Sequence, residues 1–140
     1  MTHTPDITEE AEKFAPPPYD RPGDVFGYLT PGNVHTVLDV EYARVTGYRP
    51  LRLDLRVPQT SGPVPVVAYI HGGAFMMGSR RGGPTDWVSP PIWDAVLKAG
   101  IAIATIEYRL SGEAKFPACL NDVKAAIRWL RANAVHNPDT

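Results

Sequence analysis

Two uninterrupted apolar segments constrain the fold of this chain more than any other feature of its sequence. Residues 64–70 read VPVVAYI and residues 101–106 read IAIATI, without the polar alternation of a strand that has one wet face. Strands buried on both faces have this composition, and most of them are the parallel strands of α/β proteins. Pro65 stands near the start of the first segment, where a missing amide donor is tolerated. We therefore expect two buried, parallel strands.

The residues between these segments carry the start and stop signals of a helix. Ser89 suits the N-cap, Pro90 and Pro91 suit the first turn, and Gly100 suits the position after the last turn. The apolar stripe of this helix is expected to consist of Ile92, Ala95, Val96 and Ala99. Strand, helix and parallel strand together form a βαβ unit, whose crossover should be right-handed.

Residues 37–43 and 51–57 alternate between apolar and polar side chains, which predicts two strands with one buried face each. The residues 46–50 between them contain Gly and Pro, so the two strands form an antiparallel hairpin at a sheet edge. After Pro117, apolar residues recur at helical spacing; they are Leu120, Val123, Ile127, Leu130 and Ala134. The predicted fold class is α/β, with an antiparallel β-hairpin, then a parallel βαβ unit, then a further helix.

Composition narrows the possible partners. The 140 residues contain 14 Lys and Arg against 15 Asp and Glu, so no basic surface for nucleic acid is expected. No apolar run approaches the ~20 residues of a membrane span, and residues 1–14 do not resemble a secretory signal. The single cysteine, Cys119, excludes an internal disulfide and a cysteine-rich metal site. We expect a cytoplasmic protein with a Pro- and Gly-containing N-terminal arm at 1–36 and one domain at 37–140.

The most informative segment is His71-Gly72-Gly73-Ala74-Phe75, directly after the first apolar strand. Glycines at the carboxyl end of a strand let the backbone turn sharply and present N–H groups without side chains. Such donors can bind the oxygen of a tetrahedral acyl intermediate as it becomes negative. Taken by itself, the same segment is also compatible with a glycine turn beside a buried histidine.

A second segment follows the second apolar strand. It begins with Glu107-Tyr108-Arg109-Leu110 and continues to the FPACLNDV sequence at 116–123. Arg109 is expected to pair with a nearby carboxylate such as Asp122, at the start of the following helix. By itself, this pattern indicates a loop held by polar contacts and implies no function.

Together, the order strand–HGGAF–helix–strand–YRL–FPAxLxDV–helix resembles the α/β-hydrolase superfamily over residues 37–136. The likeness is greatest to the HGG[GA]-loop esterase and lipase branch, which includes hormone-sensitive-lipase-like and feruloyl-esterase-like proteins, and it covers only the N-terminal half of that fold. The resemblance implies that the amides of Gly73 and Ala74 form an oxyanion hole, supported by His71 and Gly72. It also implies small carboxylic ester substrates and neither a metal nor an organic cofactor.

The catalytic triad of that family has no counterpart in this sequence. The nucleophile of such enzymes lies in a G-x-S-x-G motif, followed by an acid and a histidine. None of the four serines has glycine two residues before and two after it; they are Ser61, Ser79, Ser89 and Ser111. We therefore expect an incomplete chain that ends before the nucleophile, with the strand at 101–106 as a bare sheet edge. That edge would take the missing C-terminal half or a second copy.

Several other side chains have an expected role. A substrate pocket is predicted from Phe75, Met76 and Trp87, and His71 is expected to hold the loop without accepting a proton from serine. Arg80 and Arg81 are expected to lie in a solvated loop. Three functions stay open on the sequence alone: a carboxylic-ester hydrolase, which we favour, an arylformamidase-like amide hydrolase, and a non-catalytic interaction module.

Overall fold

The computed structural model describes residues 33–81 and 90–133. The elements are strands β1 (Val34–Ala43), β2 (Leu51–Pro58), β3 (Val66–Ile70) and β4 (Ala102–Ile106), and helices α1 (Pro90–Lys98) and α2 (Ala118–Asn133). Strand β1 begins three residues before the predicted domain boundary at residue 37, so His35 and Thr36 belong to the sheet. Residues 1–32 of the predicted arm, the proposed N-cap Ser89 and the pocket residue Trp87 lie outside the described residues.

The four strands form one mixed sheet in the order β1-β2-β4-β3. Strand β2 pairs antiparallel with β1 on one side and with β4 on the other, where Leu53 lies opposite Ile106. Strands β3 and β4 are parallel, and Ile70 lies opposite Ile106. The predicted fold class, a hairpin followed by a parallel βαβ unit and a further helix, is confirmed.

Among the described strands, β1 and β3 form the two edges of the sheet, and the prediction that residues 101–106 form a bare edge is wrong. Strand β4 is paired on both sides, and all five of its residues are buried. Strand β3 has β4 on one side only, and Val66 and Ile70 keep 43% and 46% of their surface exposed. An apolar composition therefore predicted burial correctly for β4. For β3 the same apolar composition did not predict burial, because Val66 and Ile70 remain largely exposed in the described chain.

The two helices pack against opposite faces of the sheet, because neighbouring side chains of a strand point to opposite sides. Ile106 of β4 packs with Leu53 and with Ala126 of α2. Ile103 of β4 packs with Trp93 and Leu97 of α1. Two small cores, one on each face, thus hold β4 at the centre of the domain.

Helix α1 turns a different face to the sheet than its sequence predicts. Trp93 and Leu97, one helical turn apart, are buried with Val96 beside them, whereas Ile92 is half exposed. The buried stripe is rotated by one residue because the large Trp93 ring fits against Tyr69, with ring centroids 5.1 Å apart. Gly100 has a φ of 77° and its amide donates to Leu97 O, which confirms the predicted end of the helix.

Helix α2 also uses only part of its predicted apolar stripe. Ala126 is fully buried, and Ala125, Trp129 and Leu130 pack against the same core. Leu120, which the spacing assigned to this stripe, is exposed. Within the described residues, the helices are too short and too polar to cross a membrane.

Candidate active site

The HGGAF segment forms a tight loop at the carboxyl end of β3. Gly73, Ala74 and Phe75 are three consecutive residues with positive φ, at 126°, 54° and 62°. Positive φ is uncommon for a residue with a side chain and costs of order 1–3 kcal/mol at each such position. The loop closes by hydrogen bonds of 3.0 and 3.2 Å from the amides of Met76 and Met77 to Gly73 O.

Glycine is required at two positions because the loop folds back on itself. A Cβ at Gly73 would lie 2.0 Å from Met77 O. A Cβ at Gly78, whose φ is 97°, would lie 2.5 Å from Gly72 O and 2.7 Å from His71 Nδ1. No side chain fits at either position without displacing backbone, so the two ends of the loop are held in direct contact.

Several amides of this loop make no hydrogen bond within the described residues, and those of Gly73 and Ala74 are among them. Within the part of the chain that the structure describes, neither amide donates a hydrogen bond. The carbonyl oxygen of Phe75, by contrast, accepts a bond of 2.8 Å from the amide of Ser111. The loop is therefore fixed through its carbonyl groups, and the amides of Gly73 and Ala74 take no part in fixing it to the rest of the described chain.

The side chain of His71 is buried and packs against the segment that follows β4. Its ring is 6% exposed and stacks on Tyr108, with centroids 4.4 Å apart and an interplanar angle of 14°. The hydroxyl of Tyr108 donates to His71 O at 2.8 Å, and His71 Nδ1 lies 2.8 Å from Gly72 O. Burial lowers the pKa of His71, the bond to Gly72 O opposes this effect, and the charge of Arg49 adds to it. A neutral, enclosed imidazole holds the loop.

The prediction that Arg80 and Arg81 lie in a solvated loop is wrong. Arg80 is 2% exposed, and its guanidinium pairs with Glu107 and Asp39 and lies 3.2 Å from Asp54. Arg81 donates from Nε to Asp54 at 2.6 Å. The two arginines thus close the far end of the loop onto the sheet.

The alternating sequence pattern did not predict this ion cluster, because β2 is buried or half-buried on both of its faces. Asp54 belongs to the polar set of an alternating strand, yet its side chain is fully buried. Burial would raise the pKa of Asp54, but the hydrogen bond from Arg81, the bond from the Asp39 amide and the nearby arginine charges together hold it below its ordinary value. A bulge in β1 at Asp39, where φ is 58°, turns this amide toward Asp54 at 2.8 Å.

Glu107 connects this cluster to the turn between β1 and β2. Its carboxylate pairs with Arg80 on one oxygen and with Arg49 on the other. Arg49 also bonds Glu113 at 2.6 and 3.0 Å, and Glu113 accepts a bond from the amide of Leu110. The residues after β4 are therefore tied to both neighbouring loops.

The predicted pair of Arg109 and Asp122 is confirmed. Two guanidinium nitrogens of Arg109 lie 2.9 and 2.7 Å from the carboxylate of Asp122, and the amide of Arg109 adds a third bond of 2.9 Å. Arg109 also stands over the ring of Tyr48, 4.6 Å from its centroid. This buried pair fixes the start of α2 relative to the end of β4.

The remaining predicted site residues differ in exposure. Phe75 is 60% exposed, Met76 is about half exposed, and Cys119 is half-buried. No group of His, Cys, Asp and Glu among residues 33–81 and 90–133 has the arrangement of a metal site. Phe75 and Met76 thus form an exposed apolar surface next to Gly73 and Ala74.

Comparison with known proteins places the chain in a family. The BD-FAE family model matches residues 53–137. The chain is 33% identical over 130 residues to an acetyl-hydrolase of Streptomyces hygroscopicus, covering 91% of this chain and 37% of that protein. It is 32% identical over 109 residues to carboxylesterase NlhH of Mycobacterium tuberculosis, covering 75% and 32% of the two chains.

A solved structure agrees with these sequence relatives. A bacterial heroin esterase superimposes with a TM-score of 0.55 at 30% sequence identity, covering 74% of this chain and 31% of the other. The chain thus spans about a third of the length of the curated relatives and of this structure. Because the family model matches more than half of the chain and the sheet superimposes on an esterase, the chain belongs to the BD-FAE family and carries part of the α/β-hydrolase fold.

Proposed function

We propose that this chain supplies the oxyanion-binding part of a serine hydrolase that cleaves small carboxylic esters by acyl transfer. The observation that carries the proposal is the pair of adjacent N–H groups at Gly73 and Ala74, which donate to no other group of the described chain. They lie on a loop that hydrogen bonds from Tyr108 to His71 O and from Ser111 to Phe75 O hold in place. Donors fixed before the reaction stabilise developing charge without reorganising.

In the proposed reaction, a serine oxygen attacks the ester carbonyl and the carbonyl oxygen becomes negative. The amides of Gly73 and Ala74 donate to that oxygen, the alcohol leaves, and water then releases the acid. Each such donor contributes about 3–4 kcal/mol to stabilising the transition state in comparable hydrolases. Phe75 and Met76 would contact the acyl or alcohol group, because their exposed side chains adjoin the two donors.

The serine, its acid and its base are proposed to come from further polypeptide, since this sequence has no G-x-S-x-G motif. We propose that this polypeptide adds a strand along β3, as a continuation of the chain or as a separate subunit. Val66 and Ile70 leave apolar surface exposed there, on the face that α2 also covers. The two relatives contain enough additional polypeptide for such a strand and for a triad, because the region matched by this chain is only about a third of each.

A chimera tests the proposal. The segment of carboxylesterase NlhH that aligns with this chain is replaced by the chain itself, and hydrolysis of p-nitrophenyl acetate is measured. We expect activity in the chimera, and we expect Gly73→Val to lower kcat by about 10²–10³-fold. Gly62→Val is the matched control, because a Cβ at Gly62 meets no atom within 4 Å.

Three outcomes would overturn the proposal: an inactive parent chimera, full activity of the Gly73→Val chimera, or equal losses from Gly73→Val and Gly62→Val. Formylkynurenine is assayed beside the ester, since an arylformamidase would use the same loop. Activity on the formamide alone would replace ester hydrolysis by amide hydrolysis as the function of the site.

A further inference from the structure

The structure assigns a positioning role to Glu107, a residue outside the HGGAF loop. We propose that its carboxylate, acting through Arg80, fixes the returning arm of the loop and thereby the direction of the Gly73 and Ala74 amides. The consequence for catalysis rests on the proposed function. The effect on the position of the loop rests only on the contacts of Glu107 with Arg80 and of Gly78 with Gly72.

A single short segment holds the loop at three points. The hydroxyl of Tyr108 bonds the carbonyl of His71 at the start of the loop. The amide of Ser111 bonds the carbonyl of Phe75 in the middle, at 2.8 Å. Glu107 pairs with Arg80, two residues after the loop returns to its start. Residues 107–111 directly follow the central strand β4, so the loop is held by the most buried part of the sheet.

Glu107 is itself fixed from several directions. Its carbonyl oxygen accepts a bond from the hydroxyl of Tyr42, and its amide donates to Arg52 O at 3.1 Å. Its side chain is 5% exposed, and each carboxylate oxygen faces a different arginine, Arg49 or Arg80. A carboxylate confined in this way determines where the Arg80 guanidinium must lie.

A shift of Arg80 would move the backbone before it, and that backbone packs directly on Gly72 and Gly73. Gly78, two residues earlier, is packed so closely on Gly72 that it has no room for a Cβ. The carbonyl of Met77 lies against Gly73 with the same lack of room. Because these backbone atoms are already in close contact, a displacement of residues 77–80 would open the turn at Gly73. Without the Glu107 charge, Arg80 keeps only Asp39 and Asp54 as carboxylate partners, which favours a shift of its guanidinium toward β1 and β2.

Hydrogen exchange on the full 140-residue chain tests the inference without any need for activity. Exchange of amides in peptides covering 71–79 is followed by mass spectrometry in the original chain and in Glu107→Gln. We expect exchange there to become at least about tenfold faster, as in local opening, with a much smaller change across β4. Glu113→Gln is the matched control: it removes a charge that also pairs with Arg49 and should leave residues 71–79 unchanged.

Unchanged exchange at 71–79 in Glu107→Gln would overturn the inference, and so would equal acceleration in Glu113→Gln. If Glu107→Gln does not fold, Arg80→Lys is measured against the same tenfold threshold, because lysine keeps the charge but loses the planar fork of donors.

The NlhH chimera supplies a second readout. There, Glu107→Gln should lower kcat at least about tenfold with KM nearly unchanged, because misplacing a catalytic group affects the transition state most. Glu107→Asp, which keeps the carboxylate, should recover part of the loss. An inactive parent chimera combined with a responsive loop would refute the proposed function and support the positioning role.

Discussion

The ring of Tyr108 lies almost parallel to the imidazole of His71, and the Tyr108 hydroxyl donates a hydrogen bond of 2.8 Å to the carbonyl oxygen of His71. This double contact follows from the parallel register of β3 and β4. Ile70 lies opposite Ile106, so the residues that leave the two strands emerge side by side at the carboxyl end of the sheet. The HGGAF loop is therefore positioned by the strand beside it as well as by its own glycines.

Tyr108→Phe removes one part of this contact and keeps the other. The ring stack remains, but His71 O loses its buried donor, so we expect unfolding to require about 1 kcal/mol less free energy. Urea unfolding of the full chain measures the change. Tyr48→Phe, at an exposed ring, is the matched control. A Tyr108→Phe chain as stable as its parent would show that the hydroxyl bond contributes nothing.

Gly78→Ala should be one of the most damaging small substitutions in the chain. Its positive φ costs ~1–2 kcal/mol for any side chain, and overlap of the new methyl with Gly72 O and His71 adds ~1–3 kcal/mol. Gly100→Ala separates the two contributions, because Gly100 also has positive φ but has open space around its Cβ position. We expect thermal unfolding to show a clearly greater loss for Gly78→Ala. Equal losses would mean that backbone conformation alone requires glycine there.

The sequence predicted the order of the elements because hydrophobic periodicity and helix signals are local. It also predicted the pair of Arg109 and Asp122, since both residues flank one predicted helix start. It did not predict which strand lies at the edge, because lateral strand order depends on the partner of β4. An apolar run such as β3 marks surface that must be covered, without saying which segment covers it.

The buried ion cluster was beyond prediction for a related reason. Asp54 and Arg80 are 26 positions apart, and each by itself has the pattern of a solvated residue. Only the bulge at Asp39 and the closure of the loop bring them together. Glu107 directly follows the second apolar segment of the sequence, but no feature of the sequence indicates that its carboxylate faces two arginines.

The pH dependence of stability should report on His71. Burial holds the folded-state pKa of His71 below the ~6.5 of an unfolded histidine, so the unfolded chain binds the proton more readily. The contribution of His71 to the free energy of unfolding is therefore fully present above about pH 6.5. It falls as the pH decreases, by up to ~1.4 kcal/mol per pH unit. Urea unfolding between pH 7.5 and 5.5 should show this slope, and His71→Phe should flatten it. His35→Gln, at an exposed position of β1, should preserve it; a slope that survives His71→Phe would assign it to other groups.

The pair of Arg109 and Asp122 should respond to loss of charge far more strongly than a pair on the surface. Asp122→Asn keeps the shape of the side chain but leaves the buried guanidinium without its counter-charge, which costs about 3–5 kcal/mol in comparable buried pairs. Glu41→Gln is the control, because Glu41 and Arg44 form an ion pair on the exposed side of β1, where solvent screens the charges. Urea unfolding of both variants and the parent should show a large loss for Asp122→Asn and little change for Glu41→Gln. Similar small losses in both would mean that water reaches the guanidinium of Arg109, and that the start of α2 is held by its apolar contacts instead.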